Sequence, residues 1–429
     1  PHLDALAEAA VLYENAISPS PWTLPAHASL FTGLYPSFHQ TDGDRPFLSP
    51  SLPTLAEAVG QLGYETFGVS NNVWISDSFG MDRGFRNFIK TWQFIQREHD
   101  IQTGLKDSTP SKLGAKAKYL QTMKLILQGN VAANVVNAAY GKSLRYSRDD
   151  GAARTNQLVN KWVSERDEAD PFFLFINYME PHAPYQPNGI YRDMHVPQGA
   201  SKESIDRVRQ LSRQSKRYHS GDLKLTSDDF DLMRTQYYGA ISYLDHMVKD
   251  LLDTIRSRYD WDNTLVIIMG DHGENLGDHD LMAHRFSVHE TLVRVPLIVK
   301  YPFNIVEPGR VQDRVQLVDI FPTVIDLVQR MSGKTAAQAG KVQGDSLLAE
   351  KSEGRFSVAE YNSVYYTPEA QDLSADFENS PYNRTLKAIY RDNYKMIVAS
   401  DGEHELYDLA ADPGESDNLF TPESNIATN

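Results

Sequence analysis

Three short, uninterrupted apolar runs set the limits on how this chain folds. Residues 172–178 (FFLFINY), 264–269 (TLVIIM) and 295–301 (VPLIVKY) are rich in β-branched and aromatic side chains and too short for buried helices. Continuous rather than alternating hydrophobicity predicts strands covered on both faces, the habit of parallel sheets. Between these runs the apolar spacing becomes helical. Tyr238, Ile241, Leu244, Val248, Leu251, Leu252 and Ile255 fall on one face of a helix predicted over 238–255. A similar stripe runs through 315–328, and a helical stretch at 52–62 leads into another strand candidate, 65–70. Helices alternating with buried strands predict an α/β fold with helices on both faces of a mainly parallel sheet.

The rest of the chain bounds the architecture further. Its 429 residues allow about three domains by length alone, yet the patterns fit one large domain over 1–335 and a small C-terminal α+β subdomain over 340–429. In the latter, 356–361, 386–391, 394–398 and 405–409 are short strand candidates separated by turn residues, which predicts a small antiparallel sheet. Residues 95–150 form a helix-prone insertion. The basic run Lys202, Arg207, Arg209, Arg213, Lys216 and Arg217 is read as a solvated helix or loop before an anion patch. A hydrophobic share of 41% is enough for a large core and excludes a disordered chain. Asp and Glu (57) outnumber Lys and Arg (42), and the net charge of −15 excludes a duplex nucleic-acid binder that works by neutralising phosphates. With no cysteine there is no disulfide, thiolate metal site or cysteine nucleophile. No apolar run is long enough for a membrane helix, and neither compartment nor oligomeric state is fixed by the sequence.

In an open α/β sheet, ligands gather at the carboxyl ends of strands. After 264–269 comes Gly270-Asp271-His272-Gly273-Glu274, where an adjacent carboxylate and imidazole can ligate a divalent cation or simply occupy a tight turn. After 172–178 comes Pro181-His182-Ala183-Pro184, whose prolines stiffen the loop around His182; this histidine is either an oxyanion donor or a surface residue. His279, His284 and His289 follow at five-residue gaps that put them on no common helix face, and spacing does not choose which of them reaches the site. Near the start, a Pro-rich loop runs through Thr23 into a short helix. A hydroxyl there meets the positive end of the helix dipole, where anions collect, unless Thr23 is an ordinary N-cap.

Together these segments resemble the sulfatase family of the alkaline phosphatase superfamily. Its signature, Cys/Ser-x-Pro-x-Arg followed by Thr-Gly and Tyr-Pro, is matched by Thr23-x-Pro25-x-His27, Thr32-Gly33 and Tyr35-Pro36. The likeness continues in order through Gly63-Tyr64-Glu65-Thr66, Pro181-His182, the 270–274 turn, Arg294-Val295-Pro296, Glu405-Leu406-Tyr407-Asp408-Leu409 and Asp412-Pro413.

The resemblance implies an alkaline phosphatase-like α/β/α sandwich and a metal-dependent hydrolase of small anionic phosphate or sulfate esters. It implies Thr23 as nucleophile, His27 in place of the arginine that orients it, and His182 and His284 as contacts to the transferred group. Asn71, with Asn72 the near alternative, falls where the family carries a substrate-binding lysine. Thr23, Asp271 and His272 match the metal ligands, for one divalent cation: Ca2+ or Mn2+ first, then Mg2+ or Zn2+. Sulfatases mature a Cys or Ser into formylglycine, which threonine cannot become. A threonine nucleophile therefore favours phosphodiester or phosphonate substrates and a covalent phosphothreonine. Family members also carry an early strand ending in metal-binding aspartates, which the resemblance expects before Pro1 in a fuller chain. The alternatives are a non-catalytic binding protein with an incomplete metal site, or a head-group phosphotransferase.

Overall fold

Residues 1–96, 131–144, 150–335, 341–350, 354–362 and 381–421 are described by the computed structural model. Most of the insertion expected at 95–150 lies outside these residues; within it, Val131–Leu144 is helical. The chain forms two compact units, one from the described residues of 1–3 and 64–259 and one from those of 4–63, 260–365 and 378–421.

The first unit holds a three-stranded parallel sheet in the order β3-β2-β4, with β2 at Glu65–Ser70, β3 at Asn87–Lys90 and β4 at Phe172–Asn177. Helix Ala152–Glu165 covers β2, with the Trp162 ring stacked on Phe67 at 4.5 Å. Close by, the Arg166 guanidinium lies against the rings of Trp162, Phe172 and Tyr259 and pairs with Glu65 at 3.2 Å. Thirty residues, Ser227–Arg256, form one helix about 45 Å long. It starts in a capping box in which Thr226 and Asp229 satisfy each other's backbone N–H groups.

That helix was expected to bury Tyr238 and Ile241, but both are exposed. Gly239, Ala240 and Tyr243 face inward instead. The cause is a close backbone approach: a Cβ on Gly239 would stand 2.4 Å from the Tyr191 carbonyl oxygen. A hydrophobicity stripe cannot register a contact made by the absence of a side chain.

The second unit is built on a mixed sheet in the order β10-β1-β8-β5, with β9 also paired to β1. Its strands are β1 Val11–Ile17, β5 Val266–Met269, β8 Arg294–Lys300, β9 Gly309–Val311 and β10 Val315–Gln316, while β6 Asn275–Leu276 and β7 Met282–Ala283 pair with each other as a separate short hairpin. The sequence reading missed β1, where Glu14 and Asn15 interrupt the apolar pattern at a bulge between Tyr13 and Ala16. Val11, Ala16 and Ile17 are nonetheless at most 2% exposed, and full burial of a Val or Ile side chain stabilises by about 1.5–3 kcal/mol.

Two expectations about this sheet are corrected. Strand β8 runs antiparallel to both β1 and β5. The link from β5 has no long crossover helix to return the chain across the sheet, so β8 starts where β5 ends; Gly270 N–H donates to Pro296 C=O at 3.1 Å. Nor are all three apolar runs fully covered: β8 is largely buried, whereas every residue of β4 and β5 is half-buried, each strand ending its own sheet.

The stripe over 315–328 also divides. Val315–Gln316 is β10, Leu317–Asp319 a 3-10 turn, and the helix proper is Ile320–Ser332. Helix Leu55–Gln61 fills the 52–62 prediction, opened by a Thr54–Glu57 capping box. The expected antiparallel sheet is present in the order β11-β12-β13-β14, namely Ser357–Tyr361, Leu386–Arg391, Tyr394–Ala399 and Glu405–Asp408. At its base, Lys395 is wholly buried between Glu290 (3.1 Å) and Glu415 (2.6 Å).

Candidate active site

Helix Thr23–Thr32 is buried at every position, a consequence of its Leu, Ala and Phe content on all sides. It ends at Gly33, left-handed at φ 67°, whose N–H caps the Ser29 carbonyl at 2.8 Å. A Cβ on Gly33 would also meet Val342 at 2.9 Å, so turn geometry and packing both demand glycine. At the opposite end Thr23 is the first helical residue, not the cap; that position belongs to Trp22, which makes no side-chain cap bond. The Thr23 hydroxyl is thus not spent on capping at the positive end of the helix.

The strand ends of the same unit meet this hydroxyl. Ser18, just past β1, donates its hydroxyl to the Asp271 carbonyl just past β5 and so ties the two strand ends together. His272 Nδ1–H donates to the Gly273 carbonyl at 2.8 Å, which leaves Nε2 as an acceptor 3.3 Å from Thr23 Oγ1. Asp271 Oδ2 lies 3.6 Å from His272 Nε2 and 3.5 Å from His27 Nδ1. One turn along the helix, His27 Nδ1–H donates to the Thr23 carbonyl at 2.9 Å. The His284 ring stacks on His272 at 4.4 Å, with Nδ1 3.4 Å from Glu274 Oε1. Thr23, His27, Asp271, His272 and His284 therefore converge, although they are spread over more than 260 positions of the sequence.

Electrostatics divide these groups. Burial would raise the Asp271 pKa, but the imidazoles of His272, His27 and His284 outweigh it and hold the carboxyl below its ordinary value. Burial lowers His27, against the pull of Asp271. Burial also holds His284 well down, helped by His272 and Arg285. Burial thus favours the neutral forms of His27 and His284 beside the Asp271 carboxylate.

Asn71 and His182 belong to the other unit, where they follow the carboxyl ends of the paired strands β2 and β4. Asn71 Oδ1 accepts from the Thr155 hydroxyl at 2.9 Å, while its buried Nδ2 has no partner among the described residues. Its neighbour Asn72 instead folds its side-chain oxygen back onto the Trp74 N–H. Gly151, at φ 122°, leaves the room Asn71 needs, since a Cβ there would stand 2.9 Å from its carboxamide. His182, between cis prolines 181 and 184, donates Nδ1–H to the Ala183 carbonyl at 2.6 Å.

Two features went unread in the sequence. Glu274, which the sequence places only in a turn, is the acid partner of His284. The other two histidines of the spaced trio, His279 and His289, do not join the site but stack on each other at 3.8 Å. The segment carrying His284 has four left-handed non-glycine residues, His279, Asp280, Ala283 and Phe286, within eight positions. Each costs on the order of 1 kcal/mol or more and persists only where surrounding contacts enforce it.

Among the described residues no group of three or more His, Asp or Glu side chains is placed to hold a metal ion. Thr23, Asp271 and His272 supply a hydroxyl, a carboxylate and an imidazole, short of the six to eight oxygens Ca2+ takes. These donors alone do not make a complete cation site. No helix of the described residues is long and apolar enough to cross a membrane.

A buried helix thus presents a hydroxyl to an Asp-His strand end, and comparison with known proteins names the family of the chain. The family model described as Sulfatase matches residues 1–330, and that described as N-sulphoglucosamine sulphohydrolase, C-terminal, matches 277–428. An arylsulfatase of Clostridium perfringens is 24% identical over 440 residues, covering 99% of this chain and 85% of the relative. A choline-sulfatase of Rhizobium meliloti is 26% identical, covering 98% and 77%. The phosphonate monoester hydrolase of Agrobacterium radiobacter shares the fold with a TM-score of 0.67 at 22% identity, over 100% of this chain and 88% of that one. The chain belongs to the sulfatase family of the alkaline phosphatase superfamily, and with it to the ester hydrolases.

Proposed function

We propose that the chain hydrolyses small phosphodiester or phosphonate monoester substrates through a covalent intermediate on Thr23. The observation that carries this reading is the Thr23 hydroxyl, buried at the first residue of its helix and facing the free Nε2 of His272. Its oxygen attacks phosphorus as the hydroxyl proton passes to His272 Nε2; the ester P–O bond breaks, the leaving oxygen takes a proton from solvent, and His272 returns its proton to solvent. Water then attacks the phosphothreonine, breaking the bond to Thr23 and restoring the hydroxyl. His27 fixes Thr23 and Asp271 from the helix side. By likeness to the family, His284, His182 and Asn71 are contacts to the transferred group, and the Asn71 Nδ2 amide supplies N–H donors for its oxygens. A sulfate ester is the second substrate class, supported by the arylsulfatase and choline-sulfatase relatives.

A divalent cation, Ca2+ or Mn2+ first, is part of the proposal through family membership; Thr23, Asp271 and His272 would hold it, His272 through Nε2, and with that nitrogen taken up the Thr23 proton would leave to solvent instead. The test is a panel of aryl phosphodiester, phosphonate monoester, phosphate monoester and sulfate substrates, assayed with wild type, Thr23→Ala and Thr23→Ser. The expected result is phosphonate or phosphodiester turnover that Thr23→Ala abolishes and Thr23→Ser partly keeps. Undiminished turnover by Thr23→Ala overturns the reading.

A further inference from the structure

The strained segment that carries His284 is tied down by a second cluster of titratable groups outside the site. His289 Nε2 meets Glu405 Oε2 on β14 at 3.0 Å, while its Nδ1 meets the Ser287 hydroxyl at 2.7 Å. Glu405 also accepts from the Tyr407 hydroxyl at 2.9 Å and from Arg384 at 3.2 Å. His279, itself left-handed at φ 52°, lies flat against His289 with ring centroids 3.8 Å apart and planes inclined by 15°. One end of the segment is thus fixed to the C-terminal sheet through His289, and the other passes His284 onto His272. Four left-handed side-chain-bearing residues do not hold that path unaided.

We propose that His289 and Glu405, with His279 stacked against them, form an acid-sensitive latch that positions residues 277–289 and hence His284. The proposal rests on the reading of His284 as a site group; His289 and Glu405 are positioning residues. A single imidazolium at His289 is matched by Glu405, but a second positive ring 3.8 Å away is not, and two facing cations repel. The other charged and titratable groups around the pair are Asp278, Glu415, Tyr407 and Arg384.

The titration behaviour agrees in sign. Burial, then the neighbouring His289, lowers the His279 pKa despite Glu415, Asp278 and Glu405. A depressed imidazole stabilises the closed form above its ordinary pKa of about 6.5 and loses that contribution as pH falls through the lowered value. Burial favours neutral Glu405, but His289 outweighs it and brings that carboxyl to about 2, so Glu405 stays ionised throughout.

Hydrogen–deuterium exchange of the full chain tests the latch without any need for turnover. Peptides covering 277–289 are compared at about pH 7.5 and about pH 4.5, either side of the ordinary imidazole value, with labelling times scaled for the intrinsic rate and folding checked by circular dichroism. Wild type is expected to gain exchange there at the lower pH. Glu405→Gln is expected to show the raised exchange already at the higher pH. His279→Asn, which tolerates the left-handed backbone and does not titrate, is expected to stay protected at both. Equal protection of wild type at the two pH values, wild-type protection in Glu405→Gln, or acid opening of His279→Asn each overturns the latch. In an activity assay on an aryl phosphonate, Glu405→Gln is expected to raise KM more than it lowers kcat. If exchange follows the prediction but no ester is turned over, the latch stands and the catalytic reading fails.

Discussion

The proposed chemistry rests on how Thr23, His272 and His27 are oriented toward one another. Because Gly273 fixes the His272 tautomer, the free nitrogen faces the threonine oxygen. His27 is a conservative stand-in for an arginine only in part. It keeps a donor to the Thr23 carbonyl, but burial keeps it neutral, so it cannot bring the permanent charge that arginine would. Replacing His27 by Ala should therefore lower kcat by about tenfold, through lost positioning of Thr23, with KM nearly unchanged; a steady-state comparison on one phosphonate substrate reads this. His284→Ala should act in the opposite proportion, raising KM as a contact to the anionic group is lost. The start of the buried helix at Thr23 and the Asp271-His272 pair past a strand end were legible in the sequence because these residues stand in short, ordered motifs. The choice of His284 over His279 and His289 was legible only through the family resemblance. Equal five-residue gaps carry no geometric preference, and left-handed residues at 279, 280, 283 and 286 follow no simple sequence rule.

At the level of elements, local chemistry explains what was read correctly and what was not. Strand β2 and helix Leu55–Gln61 lie where the apolar spacing of 65–70 and 52–62 places them. Strand β1 escaped because a bulge and two polar residues broke its pattern, and the direction of β8 depends on a connection that no propensity describes. The buried helix Thr23–Thr32 has a pH liability of its own. Ser29 in that helix bonds His39 Nε2 at 3.0 Å, and the His39 Nδ1 accepts the Thr41 N–H, so the ring is held neutral. Burial, against one backbone hydrogen bond, brings His39 to about 3. Since the folded value lies below the unfolded one of about 6.5, stability is full above that value and drains away as pH falls toward 3, by about 3 kcal/mol at pH 4. Urea unfolding at neutral pH and at pH 4 should show this loss in wild type and a smaller one in His39→Gln. Gly33→Ala should cost more than about 1 kcal/mol at any pH, because it strains a left-handed turn and collides with Val342.

At the scale of the whole molecule, a chain of net charge −15 is expected to act on anions. Long-range repulsion slows their arrival, and salt screens it over about 8–10 Å at physiological strength. Raising ionic strength toward that level should therefore increase kcat/KM for an anionic ester and leave kcat nearly constant; a fall would mean that a local positive field dominates the approach. Of the residues expected in the site, Asn71 and His182 belong to one compact unit and Thr23, His27, Asp271, His272 and His284 to the other. The central claim remains a covalent bond to a single side chain. Its most direct test is the mass of the Thr23 peptide from enzyme quenched during turnover of an aryl phosphonate or phosphodiester. The account predicts that a fraction of this peptide gains the mass of the transferred phosphoryl or phosphonyl group, localised to Thr23 and absent from Thr23→Ala. Turnover by Thr23→Ala at the wild-type rate, with the Thr23 peptide of the wild type never modified, would contradict it.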